Sequence, residues 1–336
     1  MIPIIPIHSG VFVISLDFEL FWGVRDIYKL AHYKRKLSLE RKIVPQMLEL
    51  FSKNGIHASW ATVGLLFFYT KDEMLESLPS SLPDYSDSNL SPYRQIKDVV
   101  GQNEQDDPYH FAPSLIRLIQ ETNDQRVSTH TFSHYYCKED GQRQEEFSED
   151  LRAAVSIADK RGIPIESIVF PRNQINPAYL QEIHRHGIMA YRGNQPHWLY
   201  RNGYSTNDPL YLRAFRLLDT YFNFSGHHVY ALDMQDKSLP VNVPASHFFR
   251  PYSRKLRWIE RFRLRRILKS MTEAAKTNTM YHLWWHPYNL ADDPVPNMSA
   301  LMKIINHYRD LNRKYGMVSM NMEEVSEYIR TASDSR

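Results

Sequence analysis

The chain has 336 residues, of which 43% are hydrophobic and 13% aromatic; it can bury a large core and is long for one domain without exceeding an α/β barrel. A formal net charge of +3 is too small for this length to demand nucleic acid as a partner. The single cysteine, Cys137, excludes an internal disulfide and a structural zinc site built on several thiolates, so any metal must be held by histidines and carboxylates.

The N-terminal MIPIIPIHSG is apolar but short, with two prolines and no basic flank, which makes it a poor signal peptide. No apolar run approaches the ~18 residues of a membrane span, and a cytoplasmic protein is expected. VFVISL (11–16) is a continuous apolar run rich in β-branched residues, as a strand buried on both faces would be, and it ends on Asp17 and Glu19. Helical spacing follows over 39–51, closed by Gly55, and a strand over 57–63. Residues 71–113 are rich in Asp, Ser, Pro and Asn with weak periodicity, which reads as a long insertion with at most short helices at the substrate rim.

Regular alternation then returns: helix 114–121, strand 126–129, helix 145–160, strand 167–170, helix 177–186 and strand 188–191. It breaks again over 193–252, an aromatic, Asn- and Pro-rich stretch without a clean amphipathic helix, read as a second insertion. Helix 255–276, strand 280–285, helix 298–315, strand 317–319 and helix 322–330 complete the chain. About seven strands alternating with helices predict an α/β fold, a single distorted (β/α) barrel domain of parallel strands over 1–336, with its ligand site at the strands' C-terminal ends.

The chemistry-bearing residues fall at those ends. Asp17 and Glu19, two apart on extended backbone, share a side, and two converging carboxylates are costly unless a cation or proton lies between them. STHTFSH (128–134) follows another predicted strand and carries His130 and His134 at a spacing that lets both rings face one point. Two histidines and one carboxylate leave an open metal position, and the second carboxylate is then free to act as a general base.

SLDFELFWG, STHTFSH, FPRN around Arg172 and HLWWHP around His286 resemble, in that order, the motifs of the polysaccharide deacetylases, carbohydrate esterase family 4. The resemblance implies a distorted (β/α) barrel with Asp17 as catalytic base and with Glu19, His130 and His134 holding a divalent ion, Zn2+ first. It also implies that Arg172 orients the base and that His286 is the acid, with Asp219 the candidate for its aspartate partner. The family commonly has two adjacent aspartates after the first strand, whereas here Phe18 separates Asp17 from a glutamate, whose longer arm can reach the same ion.

Trp22 and Trp285 are candidate sugar-stacking residues, and Arg250 in HFFRPY is a candidate contact to a substrate carboxylate or phosphate. Residues 253–269 carry eight basic side chains, from Arg254 to Lys269, against the single acid Glu260, which suits anionic lipid headgroups or a phosphate-bearing donor. The expected protein is thus a cytoplasmic metal-dependent N-deacetylase acting on an amino sugar, free, nucleotide-linked or lipid-linked, in surface-glycan synthesis. The rival readings are an amidohydrolase on a small non-sugar amide, a catalytically silent glycan-binding protein that should lack a ligand or the base, and a two-carboxylate glycosidase that would leave the histidine pair without a role.

Overall fold

Every residue of Val11–Phe18 (β1) is buried, because β1 is the centre of a wholly parallel sheet with helices on its outer side. In the computed structural model, which describes residues 9–204, 208–232 and 238–334, eight further strands join it: Ala58–Thr62 (β2), Gln125–Thr129 (β3), Ser167–Ile168 (β4), Ala190–Tyr191 (β5), Val241–Asn242 (β6), His247–Phe248 (β7), Met280–Trp285 (β8) and Val318–Met320 (β9). The segment weighed as a leader lies, up to residue 8, outside the described residues.

The strand order is β6-β5-β4-β3-β2-β1-β8-β7, with β9 paired to the start of β1. The sheet curls on itself as a distorted (β/α) barrel. The chain from β6 to β7 crosses between its two edges: the Val243 and Ala245 amides donate to Tyr191 and Gly193, and the Ser246 amide donates to His282. Eleven α-helices occur among the described residues. They are Leu30–Lys53 (α1), Lys71–Glu76 (α2), Tyr93–Val99 (α3), Pro113–Glu121 (α4), Gln144–Lys160 (α5), Leu180–Arg185 (α6), Leu210–Tyr221 (α7), Glu260–Thr277 (α8), Tyr288–Ala291 (α9), Pro294–Tyr315 (α10) and Met322–Asp334 (α11).

Nine strands among the described residues replace the expected seven. β6 and β7, two residues each, are too short to show periodicity and lie inside the stretch read as an insertion. α7 lies there too; of its residues only Asp219 and Tyr221 are buried, so its apolar positions do not mark a core-facing stripe.

Alternation along β1 decides what the fold presents to the site. Phe12, Ile14, Leu16 and Phe18 join the core that includes Met47 and Phe51 of α1 and Ile304 of α10. Val11 and Val13 meet Val241, Val243, Met320 and Val325 instead. Because Val241 is on a strand that is no neighbour of β1, this second cluster is the barrel interior. α11 closes its base, where the buried Glu323 accepts hydrogen bonds from Ser59 (2.6 Å) and Ser167 (2.5 Å). The next inward residues on β1 are Ser15 and Asp17, followed by Glu19, so the interior turns from apolar to charged towards the strands' C-terminal ends.

Candidate metal centre and catalytic groove

Glu19 Oε2 lies 3.3 Å from His130 Nε2 and 3.1 Å from His134 Nε2, all three side chains buried. Their ligand atoms fall within 4.8 Å of one another. His130 Nδ1 is 2.8 Å from the Val169 carbonyl oxygen. A carbonyl can only accept, so Nδ1 carries a hydrogen and Nε2 is the ring atom left to face Glu19, the orientation a metal ligand needs. His134 Nδ1 meets the Tyr136 hydroxyl at 3.1 Å.

The loop that brings both histidines to one point is tightly coiled, with Thr131 and His134 at φ 63° and 61°, a conformation non-glycine residues adopt only when their surroundings enforce it. Asp150 of α5 enforces it here, accepting the backbone N–H groups of Phe132 (2.7 Å) and Ser133 (3.2 Å) and the Ser133 hydroxyl. Burial alone would raise the Glu19 carboxyl, but His286, His130 and His134 outweigh it and hold the group well below the usual carboxylate range. The Tyr288 hydroxyl donates to its other oxygen at 3.0 Å. Gly23 makes room for this carboxylate: a Cβ at that position would stand 1.9 Å from Glu19 Cδ.

Asp17 is buried beside this cluster, and both its oxygens accept from Arg192, at 2.6 and 2.8 Å. The buried Arg192 guanidinium also donates to Ser15 and to Asn173 Oδ1 (2.9 Å) and lies 4.2 Å above the Trp284 ring. Burial pushes the Asp17 carboxyl up, and the Arg192 charge overcomes that and keeps it lowered. His286 completes the cluster, with Nε2 3.7 Å from Asp17 and 3.5 Å from Glu19. Its ring stacks on Tyr288 at 4.8 Å, and its Nδ1 faces Asn289 Oδ1 at 3.2 Å. Asp17, Glu19, His134, His286, Tyr288 and Asn289 line a groove of about 430 Å³ whose walls include Tyr28, Tyr33, Arg172, Tyr204, Arg250 and Trp284.

Several residues stand elsewhere than the sequence suggested. Arg172 does not touch Asp17; it pairs with Asp26 and, at 3.6 Å, with Glu139, and sits 4.4 Å over the Tyr136 ring, on the far side of the tyrosine that bonds His134. It still lines the groove, but Arg192, just after the next strand, is the arginine that pairs with Asp17. Asp219 is not the partner of His286. It is wholly buried on the inner side of α7, where it accepts from Tyr200 (2.6 Å) and Arg266 (2.8 Å); Asn289 fills the partner position. Trp22 and Trp285 are core residues: Trp22 Nε1 donates to the His110 carbonyl at 3.0 Å, and Trp285 packs on Phe51 and Phe249. Trp284 is the indole in the groove. Arg250 does line it.

Sequence reasoning passed over Arg192, Asn173, Tyr288 and Asn289. A charged residue directly after the predicted strand 188–191 was the available signal for Arg192. Beneath the site, His282 is buried with Nε2 2.8 Å from Ser15 Oγ and Nδ1 3.1 Å from the Val243 carbonyl. Burial, then the Arg192 charge, lowers it to about 3. The unfolded chain would protonate this histidine near pH 6.5 while the folded one would not, so stability is complete above about pH 6.5 and falls as pH drops towards 3. Urea midpoints measured across that window should fall steadily, and His282→Gln should flatten the slope.

No family model matches the chain, and no curated protein matches it. Among solved structures, it is similar over 98% of its length to 93% of a Mycobacterium smegmatis protein described as a polysaccharide deacetylase (10% identity, TM-score 0.60). A probable polysaccharide deacetylase from Pseudomonas aeruginosa PAO1 matches with 11% identity over 98% of this chain and 94% of its own, at a TM-score of 0.57. Puue allantoinase matches with 10% identity over 98% and 93%, also at 0.57.

Proposed function

We propose that this chain, which has the fold of the polysaccharide deacetylases, hydrolyses the N-acyl group, N-acetyl first, of an amino sugar destined for a surface glycan and met in the cytoplasm. The observation that carries this reading is the convergence of Glu19, His130 and His134 beside Asp17 and His286 on the floor of one groove. Glu19 Oε2 and the two Nε2 atoms would hold a divalent ion; two imidazoles and one carboxylate suit Zn2+. When bound, such an ion lowers the pKa of water and polarises a carbonyl oxygen.

The chain's own groups do the rest. Asp17, kept ionised by Arg192, takes a proton from the attacking water. His286, turned by Asn289 and by its stack on Tyr288, gives a proton to the departing nitrogen. Arg192 fixes the base, as Arg172 was expected to do, while Arg172 steadies the Tyr136 ring whose hydroxyl bonds His134. Trp284, Tyr28 and Tyr33 offer faces on which a sugar ring packs. Arg250, whose guanidinium forms no ion pair among the described residues, is placed to receive a substrate carboxylate or phosphate, as a nucleotide- or lipid-linked sugar would supply.

The test is metal content together with acetate and amine release from N-acetylated sugars, nucleotide sugars and short oligosaccharides. Bound metal, with release that a chelator stops and Zn2+ restores, is the expected result; a protein that takes up no metal while folded would sink the reading. The likeness to an allantoinase supports a second reading, hydrolysis of a small cyclic amide, and release from ureides but from no sugar would establish it. Gly23→Ala, by driving a methyl group into the Glu19 carboxylate, should weaken metal binding by about ten- to a hundredfold, the range seen when groups supporting a metal ligand are disturbed. Calorimetric titration of the metal-stripped protein reads this directly.

A further inference from the structure

Helix α7 is built with its polarity reversed. Its inward side carries Asp219, held by Tyr200 and Arg266, and Arg216, which donates to the Leu199 carbonyl and to Asp208, both at 2.6 Å. Its outward side carries Tyr211, Phe215, Leu218 and Phe222, spaced by four, three and four residues and all exposed, Tyr211 to 62%. A surface helix ordinarily turns this stripe to the core. Here the inward contacts are met by ion pairs and hydrogen bonds, and the apolar stripe, touched at its edges by Trp198 on Phe215 and Phe262 on Phe222, stays exposed.

The neighbouring face of α8 adds charge to it. Phe262 of α8 meets Phe222 at 5.9 Å, and the Arg261 guanidinium lies 4.9 Å from the Phe262 ring. Arg261, Arg265 and Lys269, four residues apart, are exposed, and none forms an ion pair among the described residues. Trp258, just before the helix, is 73% exposed. The basic run noted in the sequence therefore divides: Arg263 and Arg266 turn inward to Glu260 and Asp219, and the outward remainder borders the aromatic stripe of α7.

We propose that the outward faces of α7 and α8 form a docking surface for a membrane leaflet rich in anionic lipid. The α7 stripe and Trp258 enter the boundary between headgroups and acyl chains, while Arg261, Arg265 and Lys269 meet the headgroups. The contact is interfacial; no helix of the described residues is long and apolar enough to cross a membrane. A leaflet fits better than a second copy, because two-fold pairing through α7 would bring the same basic stripe towards its own image, whereas anionic lipid offers apolar depth and negative charge together. Arg263 of α8 donates to the Arg250 carbonyl at 2.6 Å, so the docking helices also support a wall of the groove.

The test is flotation of the full chain with vesicles of phosphatidylcholine alone and of phosphatidylcholine mixed with phosphatidylglycerol. Partition into the anionic vesicles should exceed that into neutral ones by at least about tenfold and collapse in high salt. It should be lost in Phe215→Ser/Phe222→Ser and in Arg261→Glu/Arg265→Glu/Lys269→Glu, all exposed positions whose variants should keep the parent melting temperature. A blue shift of tryptophan emission on adding anionic vesicles, reduced in Trp258→Phe, reads the same event without mutating the stripe. Failure to float with either vesicle and no emission shift would overturn the proposal. So would a dimer in light scattering that Phe215→Ser/Phe222→Ser converts to monomer, which would assign the stripe to a second copy.

Discussion

Asp17→Asn should lower the turnover of amide hydrolysis by about a thousandfold, within the range a positioned general base contributes, while leaving the metal content unchanged. The substitution keeps the shape of the side chain and one acceptor for Arg192 but removes the ability to take a proton. Metal retention is expected because the ligand atoms belong to Glu19, His130 and His134, and Asp17 is outside that set. Single-turnover release of acetate, with metal counted on the same sample, decides it. A loss of less than about tenfold would move the proton-accepting role to His286, the titratable group whose Nε2 lies 3.7 Å from Asp17.

Arg192→Leu should destabilise the fold by about 3–5 kcal/mol, the usual consequence of leaving one partner of a buried ion pair uncompensated. Its guanidinium neutralises Asp17 and is also the donor to Ser15 and Asn173, so three buried acceptors lose a partner together. Urea unfolding should show this as a lower midpoint with little change in slope. The double variant Arg192→Leu/Asp17→Asn should recover much of the loss, since no charge is then left buried alone, yet remain inactive. An Arg192→Leu protein as stable as the parent would show that Asp17 reaches water or another cation, contrary to its burial.

What the sequence disclosed and what it hid divide along the distinction between local and cross-sheet information. β1, its terminal acids and the His130–His134 loop were legible, because an apolar β-branched run and a short histidine spacing are local signals. The arginine on Asp17 was not. Arg172 and Arg192 each follow a short strand, and only the curl of the sheet, which brings the end of β5 opposite β1 across the interior, tells them apart. Trp284 and Trp285 pose the same problem one residue apart. In the register Trp284 stands beside Ser15 and Trp285 beside Leu16; Ser15 faces inward, so Trp284 enters the groove and Trp285 the core. A shift of one residue would have reversed the two. Asp219 misled for a further reason: a buried carboxylate beside arginines supports α7 as readily as it would support a catalytic histidine.

The pairing of β1 with β8 and β9 also shapes how the molecule is made. The central strand leaves the ribosome well before Met280–Trp285 and Val318–Met320, which cover one edge and the start of the other. Until they arrive, the buried central strand has an unpaired edge, and contacts of such long sequence separation slow folding and expose the nascent product to aggregation. Glu19, His130 and His134 all lie in the first 134 residues, so the prospective ligands are synthesised well before the strands that enclose them. A chain stalled before residue 280 should therefore depend on chaperones to stay in solution, and release of residues 280–334 should be the event that commits the barrel to close.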